Sequence, residues 1–361
     1  MNRPAAGDST IAGVDDLIDW GVAASTAGLV TRSGPMVSAE AAAELVQELR
    51  DCSAAAVGHV ERVSGLSAPL GPPALVVARS AWVTANLGTF RLLLDPVVSA
   101  ALDRRERPLP AQLRSVGSRV TGVELGSVLG FLASRVLGQF DPFGVGPGRL
   151  MLVAPNVVKV EQELEVVPGD FRLWVCLHEE THRVQFGVTP WLAEHLLTEV
   201  RGLVGDLLAD PGAMADRLTS LLRGLPDVVR GEGTDAGLLD AVQTPEQRER
   251  LAAVTAVMSL LEGHADVVMD EVGPQVVPTV AEIRERFGRR RGGRGAVDRL
   301  LRRLIGLDAK MRQYANGARF VREVTDRVGR DGFNAVWSSP ENLPRPAEIV
   351  DPSGWVRRVH G

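Results

Sequence analysis

Apolar residues recur every three or four positions along most of this chain, the period of a helix with one buried face. Val37 to Leu66 shows the pattern: Ser38 stands where a cap belongs, and Leu45, Leu49, Ala56, Val60 and Val63 make a stripe. Ala74 to Leu94 keeps helical spacing and is apolar almost throughout, predicting a mostly buried helix. Trp82 and Asn86 are neighbours inside it, and a buried Asn86 needs a partner. In Val120 to Leu137, Gly122, Gly126 and Gly130 recur at four-residue spacing, which lets a second helix come close, while Glu124 and Arg135 exclude a membrane span.

The pattern changes near the middle of the chain. Gln139-Phe140-Asp141-Pro142-Phe143 reads as a turn, and Leu150 to Val166 is predicted as a strand, its second part alternating apolar and polar. Helical spacing then resumes. Pro168-Gly169-Asp170 predicts a turn with Asp170 as N-cap, Phe171, Trp174, Val175 and Leu177 give an apolar face, and Gly187 and Pro190 stop the helix. Pro190 to Leu225 continues as helices, and Pro226 to Thr244 is an acidic loop. Gln243 to Val272 reads as one long helix, capped by Thr244, opened by Pro245 and closed by Gly273-Pro274. Leu307 to Val324 is a further helix, and the Pro-rich tail from Asn342 is expected to pack through Ile349, Val350 and Trp355. The expected fold class is mainly α with a small β element. Residues 1–36 read as a flexible N-terminal segment and 37–361 as one helical domain, since no repeat or long linker divides them.

Composition narrows the function classes. A chain of 361 residues, 45% hydrophobic, can bury a sizeable core. Its net charge of −5 gives no overall attraction to nucleic acid. The basic stretch Arg284 to Arg303 has one aromatic, Phe287, and its glycines suggest a solvated loop rather than a nucleic-acid surface. Two distant cysteines, Cys52 and Cys176, do not make a disulfide framework. With no targeting signal and no uninterrupted apolar run of about 18 residues, no membrane partner is expected, and the cytoplasm is the expected location. Lys159 and Lys310 are the only lysines, which reads as coding bias.

The chemistry concentrates in Leu173 to Gly187, LWVCLHEETHRVQFG, where His178 and His182 bracket Glu179 as H-E-x-x-H. Residues four apart share a helix face, so two imidazoles can grip one Zn²⁺ while Glu179 stands beside it as general base. Coincidental spacing is the bland alternative, and Glu180 departs from strict versions of the motif, which want an uncharged residue there. Cys176, two residues before His178, should face the core. On the long helix from Gln243, Glu262 and Asp266 lie one turn apart and His264 points elsewhere. Such a pair can supply a third ligand, Glu262, and a hydrogen-bond acceptor for a ligand imidazole, Asp266; His264 is the competing ligand. His195, near Trp191, reads as an ordinary histidine with a cleft position as the alternative.

These motifs resemble those of the gluzincin metallopeptidases. The resemblance implies His178, His182 and Glu262 as zinc ligands, Glu179 as base and Asp266 behind them, with small Gly263 and Ala265 allowing close packing. VVARSAWVTANLGTF, LGQFDPF, LHEETHRVQF, LLEGHADVVMDEVG, KMRQYANGARFV and NLPRPAEI together resemble the zincin-like hydrolases of actinobacteria labelled as associated with deazaflavin coenzyme biosynthesis. That resemblance covers most of the chain. It implies a largely helical zincin-like metallopeptidase fold, with an edge strand ahead of the active-site helix able to pair with an extended substrate. Tyr314, the only tyrosine, is the candidate oxyanion donor, with Gln313, Lys310 and Arg319 as rivals. The expected function is zinc-dependent hydrolysis of a peptide or other amide; a zinc-stabilised scaffold or binding protein is the alternative.

Overall fold

The computed structural model describes residues 15, 17–69, 71–103, 111–144, 146–209, 244–292 and 307–361. In chain order the helices are α1 (Trp20–Val30), α2 (Ala39–Ser64), α3 (Arg79–Asp103), α4 (Ala111–Ala133), α5 (Ala154–Leu164), α6 (Pro168–Val188) and α7 (Pro190–Ala209). They continue with α8 (Pro245–Val272), α9 (Val280–Gly292), α10 (Leu307–Asn334), α11 (Pro346–Val350) and α12 (Pro352–His360). Three short strands, β1 (Leu75–Val77), β2 (Gly138–Asp141) and β3 (Arg149–Val153), form one sheet. The predicted class, mainly helical with a small β element, is what the structure has. Residues 1–14 of the predicted N-terminal segment, and the predicted loop from Pro226 as far as Gln243, lie outside the described residues.

Contacts divide the chain into two units, Met1–Arg32 with Ser80–Ser134, and Ser33–Arg79 with Arg135–Gly361. In the first, α1 runs along α4. A Cβ at Gly122, Gly126 or Gly130 would strike the carbonyls of Asp19, Ala23 or Ala27, so the glycine spacing is what allows the helix backbones to touch. In α3 the buried Asn86 amide donates to the Trp82 carbonyl at 2.9 Å, the pairing its burial demands.

The second unit carries both metal motifs. Its sheet has the order β1-β3-β2, with β1 parallel and β2 antiparallel to β3, Gly138 facing Leu152 and Asp141 facing Arg149. Two expectations are corrected here. Only the start of Leu150–Val166 is extended; from Ala154 the chain is the helix α5, opened by Pro155 in its first turn. Val157, Val158, Val160, Glu161 and Leu164 bury one helical face, a spacing that overlaps with alternation over so short a stretch. Glu165, at φ 53°, ends α5, and Arg286 donates to the carbonyls of Leu164 and Glu165 at 2.7 Å each. Second, β3 is the central strand, so the edge position falls to β2, built from residues that local sequence reads as a turn.

Around the sheet, α2 and α6 share a core of Leu45, Leu49, Ala56 and Val60 with Phe171, Val175, Cys176 and Leu177. Arg172 on α6 ties them further, bonding Glu161 of α5 at 2.7 and 3.0 Å and pairing with Glu48 of α2. Asp170 is not the N-cap. Pro168 opens the helix directly after Val167, and the Asp170 carboxylate instead accepts from the Thr279 amide and hydroxyl at 2.8 and 2.7 Å, holding the entry to α9. The helix also passes through Gly187 and ends at Val188, where Pro190 opens α7.

A second core, including Leu192, Leu260, Phe320, Trp337, Ile349 and Trp355, joins α7, α8, α10 and the tail. Ile349 and Trp355 are buried as predicted, whereas Val350 is exposed. The long helix α8 begins at the predicted Thr244 with a reciprocal bond pair to Gln247 and ends at Gly273. It is the one described helix long and apolar enough to cross a membrane, but more than half of that window, 56%, is buried inside the protein, as a core helix must be. The basic stretch is helical to Gly292. Arg284, Arg286, Arg289 and Arg290 of this stretch pair with Asp270, Glu282, Glu285 and Glu163.

Candidate metal centre

Within α6 the helical period sorts the motif residues by direction. His178 and His182 project together toward α8, Glu179 turns toward β2, and Glu180 turns toward α2. The Nε2 atoms of His178 and His182 stand 3.2 Å apart. Glu262, on α8, places Oε2 3.6 Å from His178 Nε2 and Oε1 3.8 Å from His182 Nε2. Side chains at least 80 residues apart in sequence, His182 and Glu262 being the nearest of the inter-helix pairs, thus bring three ligand atoms within 4.8 Å of one another.

Donors 2.0–2.1 Å from one tetrahedral ion sit about 3.3 Å from each other, so two imidazoles and a carboxylate at these spacings fit zinc with little movement. All three side chains keep partial solvent access, 26%, 13% and 27% for His178, His182 and Glu262, as an open site requires and a sealed structural site would not. His264, the rival ligand, is excluded by its surroundings. It is buried, its Nδ1 meets Gln185 Nε2 at 2.9 Å, and its ring packs on Phe333 and Trp337. Burial, with His182 and Arg330 nearby, pulls its pKa down to about 3, so it stays neutral.

Glu179 is buried beside this centre but is not one of the three ligands. Burial first, then the charges of Glu262 and Glu180, hold its carboxyl well above the usual range. It lies directly over the edge strand: a Cβ on Gly138 would come within 2.7 Å of Glu179 Cδ and Oε1. Only glycine leaves that carboxyl its place, and no pattern in the sequence marks Gly138, because the requirement arises from a contact across the fold. Glu180 is resolved in the same way. It is fully buried away from the metal, accepts from Ser53 of α2 and pairs with Arg183 at 2.6 Å, so the charge that departs from strict motifs serves the α2–α6 packing. Cys176, also buried, points at the Leu49 carbonyl as a core thiol.

Asp266 lies half-buried one turn beyond Glu262, its backbone carbonyl accepting from Arg284 at 3.0 Å. His195 stands edge-on to Trp191 with centroids 6.2 Å apart, and lines a cavity of about 180 Å³ whose walls include no metal ligand. Arg319 is engaged elsewhere, donating to the Val350 carbonyl at 3.0 Å. Tyr314, Gln313 and Lys310 fall on α10, in the stretch whose side chains lie outside the described residues. Three residues beyond Tyr314 the same helix packs against α8: a Cβ on Gly263 would overlap the backbone of Gly317 and Ala318.

Comparison with known proteins agrees with this geometry. Residues 18–356 match the family model described as zincin-like metallopeptidase. The chain is similar over 95% of its length to a crystal structure described as "a putative hydrolase with a novel fold" from Chloroflexus aurantiacus, with 28% identity, a TM-score of 0.66 and 99% of that chain covered. No curated protein matches it.

Proposed function

The chain belongs to the zincin-like metallopeptidase family, and from that membership we propose that it is a zinc-dependent hydrolase of peptide or other amide bonds. The observation that carries the reading is the meeting of His178, His182 and Glu262 beside a buried carboxyl, Glu179, that is not itself a ligand. A zinc ion held by the three would polarise the scissile carbonyl and lower the pKa of water to roughly 7. A cation held beside it would favour the ionised form of Glu179 against the burial and the neighbouring carboxylates that raise its pKa, and in that form Glu179 would take the proton from the attacking water and return it to the departing nitrogen. Asp266, one turn from Glu262, would orient a ligand imidazole by accepting from its far nitrogen.

Support for a peptide substrate comes from β2. It is the sheet edge beside Glu179, and Gly138 sets its backbone against that carboxyl, so an extended chain added there would bring a backbone carbonyl to the base. Tyr314 is kept as the oxyanion donor, three residues before the α10 glycine that touches α8 beside Glu262.

Incubation of the zinc-loaded chain with a mixed peptide library, read by mass spectrometry, tests this. Cleavage that stops on chelation and returns with zinc is expected. A chain that holds zinc and cleaves neither peptides nor simple amides would instead be a zinc-stabilised scaffold.

A further inference from the structure

Three residues past His182, on the same face of α6, Gln185 is fully buried and touches both metal-bearing helices. Its Nε2 lies 2.9 Å from the Leu261 carbonyl and 2.9 Å from His264 Nδ1, and its Oε1 lies 2.9 Å from His182 Nδ1. We propose that Gln185 is a positioning residue that fixes the tautomer of His182 and clasps α8 to α6 at the ligand Glu262. The sequence reading did not single it out, and it makes no contact with the reacting atoms.

The tautomer follows from elimination. A backbone carbonyl can only accept, so the amide nitrogen of Gln185 must face Leu261 and the amide cannot turn over. Its oxygen is then left facing His182 Nδ1 and can only accept, so His182 carries its proton on Nδ1. The lone pair on His182 Nε2 is thereby free and directed at His178 and Glu262. The second amide hydrogen goes to His264 Nδ1, which makes His264 the Nε2–H tautomer and completes the network.

An amide also suits this place better than the carboxylate that more often stands behind a ligand histidine. A carboxylate could accept from His182, but its other oxygen would face the Leu261 carbonyl and His264 Nδ1 without a hydrogen to give. Because Leu261 directly precedes Glu262, the bond that sets the tautomer of one ligand also holds the backbone of another.

The inference rests on the metal reading, and its test separates the two. In the metal-free full chain labelled with ¹⁵N-histidine, long-range ¹H–¹⁵N spectra should show His182, identified by the signals lost in His182→Ala, as the Nδ1–H tautomer. Competition with a chromogenic chelator should show zinc binding weakened about 10- to 100-fold in Gln185→Leu. Thr189→Val, which removes only the hydroxyl that donates to the Gln185 main-chain carbonyl, should bind zinc as the wild type does. A proton on Nε2 of His182 in the wild type, or a folded Gln185→Leu chain with unchanged zinc affinity, overturns the proposal. If Gln185→Leu does not fold, the wild-type tautomer decides. A locked Nδ1–H tautomer in a chain that binds no zinc upholds the clasp and refutes the metal reading instead.

Discussion

Glu179→Gln is expected to lower the proposed peptide hydrolysis by about 10²- to 10⁴-fold, the usual contribution of a positioned acid–base group, while zinc content stays at the wild-type level. The substitution is isosteric in its heavy atoms, so it keeps the contact with Gly138 and adds none to a site that has no room for one. It also removes the charge that the site least favours, since burial and the neighbouring Glu262 and Glu180 already push this carboxyl toward its neutral form. Loss of activity therefore cannot be assigned to unfolding, and a neutral amide is easier to bury there than a carboxylate. The measurement is kcat/KM on one library-derived peptide, with zinc counted in the same samples by atomic emission. Activity within a few-fold of wild type at full zinc occupancy would remove Glu179 from the mechanism.

Gly317→Ala is expected to destabilise the chain by about 3 kcal/mol, the upper part of the usual range for overpacking. Its Cβ would overlap the Ser259 carbonyl, and Gly263 faces it from α8. Both obstacles are main chain, so no rotamer change relieves them, and α8 must move away from α10. Glu262 immediately precedes Gly263, so zinc affinity should fall together with stability. Gly58→Ala is the control, because its Cβ on α2 meets nothing within 4 Å. It should stabilise by up to about 1 kcal/mol through helix propensity alone. Urea unfolding of both variants, with and without zinc, reads the difference. Equal midpoints for Gly317→Ala and wild type would mean that the helices do not pack as described.

The parts of this fold legible in the sequence are those governed by local rules. Thr244, Pro245 and Gly273 bound α8 as caps and breakers should, and Ser38 opens α2 by accepting from the Ala41 amide. The shared face of His178 and His182 was readable from their four-residue spacing, whereas Glu262 came from the resemblance, with His264 as its rival. What was illegible depends on partners far along the chain. β2 is a strand only because β3 pairs with it, and Ala154–Leu164 is a helix although its valines suit a strand equally well. Gly138 and Gln185 owe their roles to contacts with Glu179, Leu261 and His264, which no spacing within their own segments announces. The charge of Glu180 departs from strict motifs because it is matched by Ser53 and Arg183, the first of them on another helix.

The convergence of α6 and α8 on one cation is tested most directly by zinc content after exhaustive dialysis, in wild type and in Glu262→Ala, with folding checked by circular dichroism. Wild type should retain stoichiometric zinc, and Glu262→Ala should emerge folded and zinc-free. A folded Glu262→Ala chain that keeps stoichiometric zinc at wild-type affinity would contradict the site.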